Sequence, residues 1–251
     1  MTVADVLVLI VAGIGAGIVS TVAALASLVS YPVLLALGLP PLTANVTNTV
    51  SLSFTAVGAA AGSRPELAGQ GARVRRLGLV TALGGAAGAA LLLLTPARTF
   101  EAAAPVLIGG ASLVLLLQPS PGVAMPVGAG REHSWPRLVA LFFVAVYVGY
   151  FGAAGGILLL AVLIPMLSQP LARTNAVKNV INGLANGVAA VGFAAFGPVR
   201  WAAVLPLGAG FLIGGWCGPA LVRRIPARPL QVLIALGGIG LAVRLGLTAY
   251  R

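Results

Sequence analysis

Residues 171–196, LARTNAVKNVINGLANGVAAVGFAAF, decide how the rest of the chain is interpreted. The stretch exceeds the roughly 20 apolar residues that cross a bilayer as a helix, and its only charged side chains are Arg173 and Lys178. Of the 251 residues, 59% are hydrophobic and 8% are charged, whereas soluble domains carry about 25% charged residues. We therefore predict an integral membrane protein.

Seven further apolar segments of similar length flank this stretch. They predict an all-α, polytopic membrane protein with about eight transmembrane helices. The predicted spans are Val3–Val29, Leu42–Gly62, Leu77–Leu94, Ala102–Leu117, Leu138–Leu167, Leu171–Phe196, Trp201–Val222 and Pro229–Thr248.

Three short patterns occur twice, in the same order, 130 or 131 residues apart. The pairs are Thr43-x-x-Val46-x-Asn48 with Thr174-x-x-Val177-x-Asn179, Gly84-Gly85-x-x-Gly88 with Gly214-Gly215-x-x-Gly218, and Pro96-Ala97-Arg98 with Pro226-Ala227-Arg228. This order indicates two four-helix repeats, residues 1–117 and 137–251, joined by a linker at 118–136. Simple spans would make the repeats parallel, whereas a re-entrant segment in each could invert them.

The opening span of each repeat is rich in glycine and is followed by a proline, Pro32 or Pro165. Glycine permits close helix packing, and it also permits a break that exposes backbone groups to a ligand. We expect the opening helix of each repeat to be broken or kinked. The second repeat gives the clearer signal, because Gly155-Gly156 aligns with Ala23-Ala24 in the first.

The net charge of +11 comes from fifteen Lys and Arg against four acids. In a membrane protein, arginines at span ends set orientation, so no nucleic-acid partner is expected. With the N-terminus inside, eight spans would place Arg64, Arg73, Arg75, Arg76, Arg131, Arg137, Arg200 and Arg251 in the cytoplasm. Arg98, Arg173, Arg223, Arg224 and Arg228 would lie outside, and this imbalance favours an inside N-terminus.

The 171–196 segment also carries a polar face, because Asn175, Asn179, Asn182 and Asn186 recur at helical spacing beside Lys178. A cation inside a membrane costs about 2.5–3.5 kcal/mol on insertion scales and marks a pathway or site. The alternative is that Lys178 extends to the interface and the asparagines bond between helices. We favour a polar path.

Asn45, Asn48 and Thr49 form the matching face of the first repeat. Amide and hydroxyl donors together with one cation suit a small oxyanion. Broken-helix backbone groups at Gly152, Gly155 and Gly156 would add further donors. The predicted substrate-binding residues are therefore these three glycines with Lys178, Asn45, Asn48, Thr49, Asn175, Asn179 and Asn182.

Catalytic and metal-binding patterns do not emerge from the sequence. His133 and Cys217 are the sole residues of their types, and a metal site needs three or four ligands. We expect neither an enzyme nor a metal or other cofactor. The four acids lie at span ends or in connections, which argues against cation coupling. An anion leaving a negative cell interior gains about 2.3 kcal/mol per 100 mV, which favours efflux.

The chain resembles the TauE/SafE family of sulfite and organosulfur-anion exporters over essentially its whole length. The resemblance rests on Gly13/Gly17…Pro32…Thr43-Ala44-Asn45-Val46-Thr47-Asn48 and Gly149/Gly152/Gly155/Gly156…Pro165…Thr174-Asn175-Ala176-Val177-Lys178-Asn179.

This resemblance implies a permease of the bacterial or archaeal cytoplasmic membrane that exports sulfite, a sulfonate or a sulfoacetate-like anion. The lipid bilayer and the anion are the expected partners, and the resemblance does not decide between a monomer and a homo-oligomer. The alternative is a non-transporting membrane scaffold or a subunit of a larger complex.

Overall fold

The computed structural model describes residues 1–23, 26–117, 134–167, 169–222 and 227–249. The described residues form α-helices and contain no strand. Most of the predicted linker, residues 118–133, lies outside them, as do the predicted positions of Arg131, Arg223, Arg224 and Arg251.

The helices of the first half are α1 (Val3–Ala23), α2 (Ala26–Ala36), α3 (Pro41–Gly62), α4 (Arg64–Leu67), α5 (Gly71–Leu94) and α6 (Ala97–Leu117). Those of the second half are α7 (Trp135–Tyr150), α8 (Gly155–Met166), α9 (Leu171–Phe196), α10 (Trp201–Val222) and α11 (Ala227–Ala249). The predicted sixth and seventh spans coincide with α9 and α10.

Four helices of the described chain are long and apolar enough to cross a membrane, within Val3–Ser20, Gly71–Leu94, Leu171–Phe196 and Trp201–Gly218. Large apolar side chains such as Leu79, Val191 and Leu205 are exposed on the outer faces of these helices. Exposed apolar surface of this kind suits lipid. The multi-pass helical class is thus confirmed, while the count of eight spans and their grouping into repeats stay predictions.

The predicted fifth span, Leu138–Leu167, is not one continuous helix. Helices α7 and α8 contain 16 and 12 residues, or about 24 and 18 Å of helix. Continued in one direction, they would hold Arg137 and Pro165 about 40 Å apart. Instead Arg137 Nη1 donates to Pro165 O at 2.7 Å. The two helices therefore form a hairpin whose turn is residues 151–154.

Helices α1 and α2 also run in opposite directions. Gly13 lies against Gly210 and Gly17 against Gly214, so α1 is parallel to α10. Parallel packing of α10 and α3 follows from two contacts, Arg200 with Thr47 and Leu212 with Gly58.

Helix α2 is antiparallel to α3. Ser27 and Ser30 bond Asn48, whereas Tyr31, later in α2, bonds Pro41, and residues 37–40 join the end of α2 to the start of α3. Since α1 is parallel to α3, α1 and α2 form a second hairpin.

Helix packing links the two halves of the chain. Helix α10 of the second half packs against α1 and α3, and α5 of the first half packs against α7 and α9. Glycines permit both crossings: a Cβ at Gly214 would meet Gly17 Cα at 3.0 Å, and one at Gly149 would meet Gly85 Cα at 2.8 Å. Gly13 and Gly17 of α1 therefore serve close packing.

The two hairpins enter from opposite ends of the molecule. Helix α9 begins where α3 ends, because Arg173 Nη2 donates to Ala68 O at 2.7 Å. Arg173 thus lies at the same end as Arg64, and Arg200, beyond the other end of α9, lies opposite. The sequence-based grouping of these two arginines is therefore wrong, because it assumed that residues 138–167 cross the membrane once.

Candidate functional site

A small polar cavity lies where α3 and α9 cross near the middle of the molecule. Ala56 and Gly183 make the close contact at this crossing. The cavity has a volume of about 20 Å³, which is room for roughly one water molecule. Its polar lining comes from three helices and consists of Ser20, Thr55, Asn179, Asn182 and Asn186.

Two buried polar atoms of this lining have no hydrogen-bond partner among the described residues. They are Thr55 Oγ1 and Asn186 Oδ1. The Asn186 amide nitrogen donates to Asn182 O at 2.9 Å, which leaves its oxygen available. Buried polar atoms are nearly always paired, so this pair indicates a place for a polar ligand or water.

The turn of the α7–α8 hairpin approaches the cavity. Gly152, with φ of +76°, would bring an added Cβ within 3.9 Å of Asn186 Oδ1. Tyr147 Oη braces the turn by donating to Ala153 O at 2.7 Å. Ala154 has φ of +56°, a conformation that costs roughly 1–2 kcal/mol for a residue with a Cβ.

Two of the predicted backbone donors are already used within this turn. The N–H of Gly152 donates to Tyr147 O at 3.1 Å, and the N–H of Gly155 donates to Gly152 O at 3.2 Å. Gly156 is buried in the first turn of α8. The glycines of this segment shape the turn beside the cavity.

The polar face of α3 is engaged in packing. Asn45 Nδ2 donates to Tyr150 O at 3.0 Å and so holds the hairpin turn. Asn48 Nδ2 donates to Ser27 Oγ at 3.1 Å, and its Oδ1 accepts from Ser30 Oγ at 2.5 Å. Thr49 Oγ1 donates to Asn45 O in its own helix at 3.0 Å. These three predicted site residues therefore connect α3 to the hairpins and to itself.

Lys178 is only 1% exposed, and its Nζ has no hydrogen-bond partner in the part of the chain that the structure describes. It lies on the side of α9 that it shares with Ile181 and Ala185. That side faces α5, since Thr81 Oγ1 donates to Ile181 O at 3.0 Å. Lys178 is buried beside the cavity and does not line it.

Of the predicted α9 residues, Asn179 and Asn182 line the cavity, and Asn175 is half-buried outside its lining. Thr55, Ser20 and Asn186 also line the cavity and were not predicted as site residues, although Asn186 was placed on the polar face of α9. Thr55 lies seven positions after Asn48, and this helical spacing could have identified it. Ser20 enters only through the packing of α1, which the sequence does not reveal.

Among the described residues, no three His, Cys, Asp or Glu side chains are grouped to hold a metal ion.

Residues 9–245 match the family described as sulfite exporter TauE/SafE. The chain is also 26% identical over 244 residues to a Sinorhizobium protein described as probable membrane transporter protein ORF9, covering 94% of this chain and 90% of that protein. No solved structure gives a significant match.

Proposed function

The chain belongs to the sulfite exporter TauE/SafE family, and from this premise we propose that it exports a small sulfur-containing anion through the cavity between α3 and α9. Membership makes the chain a membrane transporter and not an enzyme. The proposal adds the sulfur anion, the direction of transport and the site.

The observation that carries the proposal is the pair of unpartnered buried atoms in the cavity, Thr55 Oγ1 and Asn186 Oδ1. Together with the amides of Asn179 and Asn182 and the hydroxyl of Ser20, they form a compact set of neutral hydrogen-bonding groups. Such groups replace the hydration shell of a small polar ion. A fixed amide oxygen also favours an anion that carries a hydroxyl hydrogen, such as hydrogen sulfite.

Lys178 supports an anionic substrate. A cation buried without a partner is strongly unfavourable, and an anion close to it offsets that cost. Lys178 precedes Asn179 in α9 and is one helical turn from Asn182, so a positive charge on its amino group raises the potential around the cavity. Among the described residues, no carboxylate lines the cavity.

The cavity has room for about one water, which is less than a sulfite ion needs. Transport therefore requires α3 and α9, or a hairpin, to move apart. Both hairpins reach the cavity, α1 through Ser20 and the α7–α8 turn through Gly152 beside Asn186. Since they enter from opposite ends, movement of one opens the cavity to one side only, as alternating access demands.

Efflux is the favoured direction. An anion gains about 2.3 kcal/mol per charge per 100 mV when it leaves a negative interior. A bacterial or archaeal cytoplasmic membrane maintains such a potential.

The scaffold alternative requires polar faces that contact another chain, whereas the polar faces of α3 and α9 are turned toward each other and the hairpins.

The test is efflux of sulfite, methanesulfonate and sulfoacetate from proteoliposomes loaded with each anion. Purified protein should accelerate efflux of at least one of them over protein-free vesicles, and an inside-negative potential should increase the rate. Sulfate serves as the comparison dianion without an acidic hydroxyl at neutral pH. If folded protein moves none of the three sulfur anions faster than protein-free vesicles do, the proposal is wrong.

A further inference from the structure

The two ends of the molecule differ in charge. We infer that the end where α3 stops and α9 starts contacts the anionic lipid headgroups of the cytoplasmic leaflet, so that residue 1 lies on the outer side. The inference rests on the chain spanning the cell membrane and is independent of the transported substrate.

The first end, called here the arginine end, gathers segments that are distant in sequence. Arg173 Nη2 bonds Ala68 O, Arg73 Nη1 bonds Gln169 Oε1 at 2.7 Å, and Arg137 Nη1 bonds Pro165 O. These contacts bring together the start of α5, the start of α7, the end of α8 and the start of α9. The arginines described at this end are Arg64, Arg73, Arg75, Arg76, Arg137 and Arg173, with Glu66 as the described acid.

The opposite end is nearly balanced in charge. The rings of Phe100, in the first turn of α6, and Tyr150, at the hairpin turn, have centroids 6.0 Å apart, and Tyr150 O bonds Asn45 near the start of α3. Arg98 and Arg200 lie at this end. Gly109 lies against Ala242 and Gly238 against Ser112, so α11 is antiparallel to α6 and Arg244 lies in the half of α11 nearer this end. Its described acids are Asp5 and Glu101.

Short connections rich in Arg and Lys stay on the cytoplasmic side of a membrane. The cytoplasmic leaflet also carries anionic lipids, which attract basic side chains within a Debye length. Arg64 and Arg75 are exposed and so are available to headgroups. Both effects place the arginine end inside.

This orientation reverses the one that the sequence favours. Helix α1 is parallel to α3, and α3 ends at the arginine end, so α1 starts at the other end. Residue 1 therefore lies outside. The α7–α8 hairpin then enters the molecule from the cytoplasmic side, and the α1–α2 hairpin enters it from the outer side.

Single-cysteine labelling tests the inference in the full chain. The background is Cys217→Ala, which removes the native thiol. Ala72→Cys reports on the arginine end and Thr99→Cys on the opposite end, because both positions are exposed in the first turn of a helix. Spheroplasts are treated with a membrane-impermeant maleimide, before and after lysis.

We expect intact spheroplasts to label Thr99→Cys but not Ala72→Cys, and lysed cells to label both. The reverse pattern, labelling of both or labelling of neither in intact cells would overturn the inference.

A second comparison neutralises exposed charges at each end. Arg64→Gln with Arg75→Gln should yield a mixed labelling pattern, whereas Arg98→Gln with Arg200→Gln should leave the pattern unchanged. An unchanged pattern in both pairs would contradict a role for the arginine end.

Discussion

Helices α3 and α9 carry the same Thr-x-x-Val-x-Asn pattern but use their polar side chains differently. On α3, Asn45 and Asn48 bond the two hairpins. On α9, Asn179 and Asn182 line a cavity, and Asn186 leaves its oxygen unpaired. The two helices differ most at positions 47 and 178, which correspond in the shared pattern. Thr47 Oγ1 accepts a hydrogen bond from Arg200 N, whereas Lys178 Nζ has no partner among the described residues.

The contrast indicates how one pattern serves two roles. Satisfied polar groups fix the position of a helix, and unsatisfied ones leave binding capacity. We therefore expect substitutions of the paired residues Asn45 and Asn48 to reduce stability, and substitutions of cavity-lining residues, on α9 or at Thr55, to reduce transport. Four experiments test this division.

The largest effect is expected for Lys178→Gln. If the anion passes close to the amino group, the loss of roughly 1.5–3 kcal/mol lowers sulfite efflux about 10- to 150-fold. The variant should fold, because Lys178 Nζ has no hydrogen-bond partner among the described residues that the substitution would remove. Arg98→Gln, an exposed arginine far from the cavity, is the control and should keep its activity. Unchanged efflux from folded Lys178→Gln protein would remove Lys178 from the mechanism.

Asn48→Ala should mainly affect stability. It removes two bonds and leaves Ser27 and Ser30 less satisfied inside the protein, at a cost of about 2 kcal/mol. Thermal unfolding in detergent measures the change. Adding Ser27→Ala and Ser30→Ala should recover part of the loss, because no polar partner then stays buried alone. A midpoint equal to that of the unaltered protein would refute the structural role of α3.

Asn182→Ala should show the opposite behaviour. Losing one neutral hydrogen bond of about 1 kcal/mol to the substrate lowers efflux about fivefold. The unfolding midpoint should move little, because the side chain borders a cavity. Asn175→Ala, on the same helix outside the cavity lining, is the matched control. Equal losses of efflux in the two variants would argue against the cavity as the binding site.

Thr55→Val should give the smallest change, about a twofold loss of efflux. Its hydroxyl has no partner in the described structure, so an apolar group of the same shape should leave stability equal or slightly higher. Thr81→Val is the control, because Thr81 Oγ1 bonds Ile181 O, and its loss should lower the unfolding midpoint. A lower midpoint for Thr55→Val than for Thr81→Val would show that Thr55 is structurally paired.

Local patterns predicted the membrane class and several helix bounds. Helix α9 begins directly after Pro170 and ends directly before Gly197, and both residues mark its limits in the sequence. Hydropathy could not reveal the α7–α8 hairpin, because an apolar segment has the same hydropathy whether the helix continues or the chain reverses direction. The reversal depends on contacts between distant residues such as Arg137 and Pro165.

The candidate site was predicted only in part, because its remaining features also depend on contacts between distant residues. Helical spacing placed Asn179 and Asn182 on one face, and both line the cavity. The same spacing could not distinguish them from Asn45 and Asn48, whose partners lie on the hairpins. Burial alone did not decide the matter either, since Lys178 is buried but lies outside the cavity lining. Which polar groups stay unpaired depends on the tertiary packing.

The crossing of α1 with α10 has a consequence for synthesis of the chain in the cell. Gly13 and Gly210 touch, although 197 positions separate them. At about 5–20 residues per second, the ribosome needs roughly 10–40 s to make the intervening segment. Throughout that interval the glycine face of α1 lacks its partner and is open to lipid, the insertion machinery or a chaperone. Completion of the fold therefore waits until α10 has been made.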